Sequence, residues 1–247
     1  MKLLCLLRSL IFSFLFLPIW TVVLSSIGVI WFWITGKRDF VEWCGYTWAR
    51  GNLVALGLRL DVEGLENIPE GGCLMLFNHS SFVDIFAMAA LLPKIHFGAK
   101  IELFSIPFFG AAMRAAGILP ITRQNLANAI RVLTEAEARA RQGEKFALAP
   151  EGKRNSVEKL LPFKSGPFIF AIHAQVPLVP ILIKGAARAW PKGALLPGLE
   201  DLSGIVRVKI LPPVPTTGVT LEQKHELMQK VRGLMLQYIP SADPYSD

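Results

Sequence analysis

The sequence predicts an α/β fold, a central mostly parallel sheet flanked by helices, preceded by an N-terminal apolar membrane-embedded helical segment. Three observations carry this expectation. From about residue 59 onward, short apolar runs of strand length alternate with longer segments of helical periodicity. Strand-helix-strand order needs crossover connections, which make neighbouring strands parallel. Ser9 through Gly36 contains no charged residue and is long enough to cross a bilayer as one tilted helix.

Within that first stretch, Pro18 offers an alternative to the single span. The segment 1–38 can also form a helical hairpin in one leaflet, with one arm before Pro18 and the other from Ile19 to Thr35. Lys2 and Arg8 precede the apolar run while Lys37 and Arg38 follow it, so positive charge at both ends sets no orientation and mildly favours the hairpin. A cleaved signal peptide ranks behind both, because no small-x-small site closes the run. Trp20, Trp31, Trp33, Trp43 and Trp48 cluster here, as interfacial residues do, with packing against the domain as the alternative.

Composition agrees with a membrane setting. A net charge of +7 on a chain that is 52% hydrophobic suits an anionic membrane surface and argues against a soluble nucleic-acid binder. Cys5, Cys44 and Cys73 form neither a disulfide framework nor a zinc pattern, and the four histidines lack metal-ligand spacing. No metal and no cofactor is expected.

The α/β domain is expected over 39–240, with 241–247 as a loose tail. Asp39 to Leu58 reads as an amphipathic connector. Arg59–Glu63 alternates like a half-exposed strand, and Pro69–Gly72 turns the chain into the apolar strand Cys73–Phe77, followed by a helix from Ile85 to Leu92. Phe97–Phe104 comes next. Phe108–Ile118 is then apolar apart from Arg114, which fits core, an apolar groove or lipid contact. Gly117–Arg123 is a short strand ending in a cation. Leu126, Ala129, Ile130, Leu133, Ala136 and Ala140 mark one face of a helix that Gly143 stops. Lys145–Ala149 is a strand running into Pro150–Arg154. Pro167 sits in the first turn of another helix, Pro177–Ile183 is a buried strand and Ile205–Ile210 an exposed one. Thr220 and Gln223 make a capping box for the final helix.

Three strand ends carry polar groups: His79 with Asp84, then Arg123, then Glu151 with Lys153 and Arg154. Parallel strands bring all three to the carboxyl edge of one sheet, where open α/β sheets bind ligands. His79 and Asp84 are five residues apart, a rotation of about 500° on an ideal helix, so both cannot be helical and still meet. They meet if His79 lies in the turn and Asp84 in the first helical turn, where the helix dipole favours a carboxylate. The carboxylate then holds one imidazole nitrogen and leaves the other as an oriented proton acceptor. From spacing alone, an ordinary turn histidine and a helix N-terminal charge are the alternative. A base beside clustered cations suits a substrate bearing both a hydroxyl and a phosphate, and Gly152 would let backbone amides approach an anion. A solvated basic rim is the alternative for Arg123, Lys153 and Arg154.

Taken together, Asn78–Asp84, Gly117–Arg123, Pro150–Arg154 and Val176–Pro180 resemble, in order, the four sequence blocks of the glycerolipid acyltransferase family with its HX4D motif, particularly its bacterial 1-acylglycerol-3-phosphate acyltransferases. Lys153 and Asn155 depart from the usual third block, which bears on the acceptor head group. The resemblance implies acyl transfer from acyl-CoA or acyl carrier protein to the free hydroxyl of lysophosphatidate, giving phosphatidate without a covalent enzyme intermediate. His79 would be the base and Asp84 its orienter. Arg123, Glu151, Gly152 and Arg154 would place the phosphate, with Glu151 orienting an arginine, and Lys100 and Lys153 are further candidates. It also implies membrane lipid as partner and a bacterial inner-membrane location with the catalytic domain facing the cytoplasm. Another lysolipid acceptor, or a non-catalytic protein binding anionic lipid, are the rival readings.

Overall fold

The computed structural model describes residues 2–122, 126–155, 160–198 and 200–238, with the backbone alone for 126–129. Arg123 and the expected loose tail, 241–247, lie outside the described residues.

The apolar N-terminus forms one continuous helix, Lys2–Thr35, long and apolar enough to cross a membrane. It consists of α1 (Lys2–Ile11), a π-helical turn (Phe12–Phe16) and α2 (Leu17–Thr35). The chain does not reverse at Pro18. Proline stands in the first turn of α2, and the wide π turn before it, where Leu17 N donates to Phe12 O, accommodates the missing donor that would break a regular helix. Reversal comes at Gly36, whose φ of 67° is the left-handed conformation that ends many helices. The expected connector is α3 (Asp39–Ala55), which returns antiparallel to α2. Gly28 lets Val41 approach closely, and Trp48 Nε1 donates to Thr21 Oγ1 at 2.8 Å. The other side of α1 and α2 is uncovered, with Leu3, Phe14, Ile19, Trp33 and Ile34 exposed.

Arg8 fastens α1 to the body. Its guanidinium donates to the carbonyls of Leu56 at 3.0 Å, Gly198 at 2.6 Å and Asp201 at 2.8 Å, and also to that of Leu202.

The sheet holds β1 (Leu58–Glu63), β2 (Cys73–Phe77), β3 (Ile95–Lys100), β4 (Leu119–Ile121), β5 (Lys145–Leu148), β6 (Leu178–Lys184) and β7 (Gly204–Ile210) in the order β1-β7-β6-β2-β5-β3-β4. Every pairing is parallel except β6 with β7. The carboxyl ends of β2, β3, β4, β5 and β6 therefore share one edge, and β1 and β7 run the other way. The helices of the body are α4 (Val83–Ala89), α5 (Phe109–Ala115), α6 (Leu126–Arg141), α7 (Gly166–Ala174), α8 (Ala186–Ala189) and α9 (Lys224–Leu236).

Strand β2 explains why its sequence is apolar throughout. Cys73, Met75 and Phe77 face a core shared with α3 and α4, while Leu74 and Leu76 face a second core under α6, α7 and α9. Burial also pushes the Cys73 thiol up to about 11.

At the amino edge of the sheet, buried His96 joins α3 to the strands. Its Nδ1 lies 2.9 Å from Ala116 O and its Nε2 3.0 Å from Glu144, with Glu42 of α3 at 3.8 Å. Arg139 binds Glu144 and donates to Gly117 O at 3.0 Å. Burial pushes the Glu42 carboxyl up and His96 down, the latter against the pull of Glu144.

Gly72 enters β2 where a Cβ would lie 1.8 Å from Ala140 O, a backbone atom that cannot swing aside. Gly72→Ala is expected to destabilise the fold by about 2 kcal/mol or more. Thermal unfolding in detergent reads this as a fall of several degrees in Tm.

Candidate active site

The site begins where β2 ends. Asn78 continues the pairing with β6 through its side chain, donating Nδ2–H to Ile183 O at 2.9 Å and accepting from Ile183 N at 2.7 Å. A carboxamide has the donor and acceptor of a peptide group, which is why asparagine fits a strand end. His79 follows with its main chain held on both sides. Its N–H donates to Glu151 Oε1 at 3.4 Å, and its carbonyl accepts from Asn155 N at 2.7 Å.

Asp84, in the first turn of α4, reaches back over the loop. Its Oδ2 accepts from Ser80 N at 2.5 Å and Ser81 N at 2.7 Å, and lies 3.0 Å from His79 Nδ1. A carboxylate only accepts, so Nδ1 carries the imidazole proton and Nε2 presents its lone pair. Asp84 is fully buried, whereas the His79 side chain is 19% exposed. The pair is thus insulated on the orienting side and open on the reacting side. Ser81 braces the loop, its Oγ donating to Trp190 O at 2.7 Å and accepting from Val83 N at 3.1 Å.

Glu151 and its neighbours arrive from β5. The expectation that Glu151 orients an arginine involves Arg123, which lies outside the described residues; among the described residues its partners are others. They are the amides of His79 and of Leu161, the latter at 3.0 Å, and the Asn155 side chain. The residue is 3% exposed, and burial pushes its carboxyl pKa up even though these donors pull it down. Gly152 adopts a φ of 69° and donates its N–H to Ala149 O at 3.1 Å, so the glycine serves the turn and that amide is engaged within it.

The cations divide. Arg154 lies over the Phe82 ring, 4.1 Å from its centroid, beside the His79 loop. Lys153 is exposed in the turn ahead of it. Lys100 ends β3 on the same edge, two strands from β2, and sits 3.6 Å from Glu102. Arg123 is outside the described residues. Among those residues, no group of three or more His, Cys, Asp or Glu is placed to hold a metal ion.

Several contributors escape sequence reading. Asn155 and Asn78 lock the loop through partners 70 to 110 residues away. Phe82 leads through Trp190, ring centroids 5.4 Å apart, to Phe12 of the π turn, 6.2 Å further. Asn155 directly follows the Pro150–Arg154 motif and Phe82 lies inside the first one, so adjacency was the available signal.

An oriented base at a strand edge, beside a cation on an aromatic face, can take a proton from a hydroxyl and hold an anion nearby. Comparison with known proteins agrees with this chemistry. The chain is 35% identical over 183 residues to the human 1-acyl-sn-glycerol-3-phosphate acyltransferase alpha, covering 73% of this chain and 63% of that protein. It is 32% identical over 180 residues to a chloroplastic 1-acyl-sn-glycerol-3-phosphate acyltransferase of Brassica napus, covering 72% of this chain and 51% of the relative. The matched region therefore spans between half and two thirds of these relatives. The crystal structure of the 1-acyl-sn-glycerophosphate acyltransferase of Thermotoga maritima superposes with a TM-score of 0.79 at 25% identity, covering 98% of this chain and 99% of that one. The acyltransferase family model matches residues 59–184. That segment runs from β1 through the end of β6 and contains His79, Asp84, Glu151 and Arg154: the chain belongs to the acyltransferase family.

Proposed function

We propose that this protein transfers an acyl group from an acyl-thioester, on coenzyme A or acyl carrier protein, to the sn-2 hydroxyl of 1-acyl-glycerol-3-phosphate, giving phosphatidate. The observation that carries the reading is the 3.0 Å contact between His79 Nδ1 and a fully buried Asp84, while the His79 side chain stays 19% exposed.

In this mechanism His79 Nε2 takes the proton of the acceptor hydroxyl as its oxygen attacks the thioester carbonyl. Asp84 holds the imidazolium that forms. The tetrahedral intermediate collapses with loss of the thiolate, and the imidazolium returns the proton to sulfur, leaving ester, thiol and the starting histidine. Arg154 binds the acceptor phosphate, with Lys153, Lys100 and Arg123 adding positive charge along the same edge. Glu151 and Asn155 act through the His79 main chain. The uncovered face of α1 and α2 seats the protein on the membrane that holds both lysophosphatidate and phosphatidate. The bacterial inner membrane, with the catalytic domain on the cytoplasmic side, is the proposed location.

A mass-spectrometric assay of purified protein with an acyl-thioester and a panel of lysolipids tests the reading. Wild type is expected to form phosphatidate from lysophosphatidate. His79→Ala is expected to abolish it, and Asp84→Asn to lower kcat by about 10²- to 10⁴-fold. Acylation of another lysolipid instead would remove the acceptor assignment but keep the base, and acylation of none would overturn the enzyme reading.

Arg154 and Glu151 separate by kinetic signature. Arg154→Ala is expected to raise KM for lysophosphatidate about tenfold or more, as loss of a charge-assisted contact does. Glu151→Gln turns one acceptor oxygen into a donor facing a backbone N–H. It is expected to lower kcat about tenfold or more with KM for lysophosphatidate nearly unchanged. A rise in KM alone for Glu151→Gln would instead mean direct contact with the acceptor.

A further inference from the structure

The segment between β3 and α5 presents apolar side chains to solvent in a rigid, strained form. A 3₁₀ turn, Ile101–Ser105, is followed by Ile106, Pro107 and Phe108, and Ile101, Ile106 and Phe108 are all exposed, Phe108 by 53%. Phe108 has φ 61° and ψ −57°, and Phe109 N donates to Pro107 O at 2.6 Å. That is a γ-turn with a bulky residue at its centre, a conformation that is rare and strained outside glycine.

The turn is braced by a side chain of α5. Arg114, the lone charge of its apolar stretch, is exposed and folds back over the turn. Its two terminal nitrogens donate to Phe104 O at 2.8 and 3.0 Å, one of them also reaches Gly110 O at 3.1 Å, and the guanidinium stands 5.8 Å from the Phe104 ring centroid. Gly110 allows the close crossing, since a Cβ there would fall 2.2 Å from Phe104 O. The exposed Arg114 thus ties the turn to α5 through the Phe104 and Gly110 carbonyls.

Location supplies the occupant. The turn follows Lys100 on the same sheet edge as His79. Next to it, Phe109 packs on Trp48 with centroids 5.6 Å apart, and Trp48 bonds α2 at Thr21 and Trp20. In the N-terminal helix, Phe14 and Leu15 of the π turn and Ile19 at the start of α2 are exposed, a few residues from Trp20 and Thr21, so both elements that meet at Trp48 carry exposed apolar side chains.

We infer that the Ile101–Phe108 turn is a second membrane-contacting element, inserting Phe108 and Ile106 into the lipid headgroup and acyl boundary beside α1 and α2. The inference rests on the membrane setting proposed above. Two separated apolar elements fix the tilt of the domain on the bilayer, where one helix alone leaves it free to roll. The carboxyl edge then faces the lipid.

The test places a cysteine-linked environment-sensitive fluorophore at Phe108→Cys, with Gln142→Cys on the opposite sheet edge as control. Cys5, Cys44 and Cys73 are buried and do not compete for label. The labelled proteins are reconstituted in vesicles of equal parts phosphatidylcholine and phosphatidylglycerol. The probe at 108 is expected to be quenched by spin-labelled lipid and shielded from aqueous iodide, and the probe at 142 to show the reverse. Iodide quenching at 108 as efficient as at 142 overturns the inference.

Phe108→Gly supplies a second reading, because glycine accepts this backbone conformation without strain. Its Tm and its turnover of detergent-dispersed substrate are expected to match wild type, while its apparent KM for substrate in vesicles rises about tenfold, as lost burial of much of a phenylalanine ring predicts. Unchanged kinetics on vesicles also count against the inference. A probe at 108 that inserts in a protein without acyl transfer removes the proposed reaction and leaves the membrane contact standing.

Discussion

One carboxylate oxygen, Asp84 Oδ2, holds the carboxyl edge together. It accepts from two successive backbone amides and from the imidazole it orients. An ionised carboxylate without water is unfavourable unless donors replace its hydration, and each charge-assisted bond returns about 1.5–3 kcal/mol. The loop around His79 is wound so that its own peptide groups are those donors. Conformation of the loop and orientation of the His79 ring are therefore a single arrangement, and Glu151 and Asn155 extend it by gripping the His79 peptide from beyond the neighbouring strand.

That explains what could be read from the chain and what could not. The pairing of His79 with Asp84 was legible because it is local: a strand, a turn and the first turn of a helix leave few ways to arrange five residues. Convergence of the strand ends was legible too, because crossovers dictate parallel neighbours. The role of Glu151 was not, since its partners His79 and Leu161 come from two other parts of the chain and no local pattern distinguishes an acceptor for amides from an acceptor for arginine. The bracing contacts of Asn78 and Asn155, both noted in the motifs for other reasons, were not legible on the same ground. Reversal at Gly36 rather than at Pro18 turned on a π turn, which carries no composition signal of its own.

The N-terminal helix belongs to the domain and is no loose tether. At the amino edge, α3 meets the sheet through Glu42, His96 and Glu144. At the carboxyl edge, Phe12 meets Trp190 and through it Phe82 and Arg154. The apolar surface thus has a defined direction relative to His79.

Arg8 adds an ordering in time. Its carbonyl partners at Gly198, Asp201 and Leu202 stand 190 to 194 residues further along the chain. A ribosome adding 5–20 residues per second exposes them roughly 10–40 s after the helix itself. For that interval the greasiest part of the protein carries a guanidinium with most of its acceptors unmade. Acceptors outside the chain must satisfy that guanidinium until the last third of the chain arrives, so the docking of α1 onto the body is completed late.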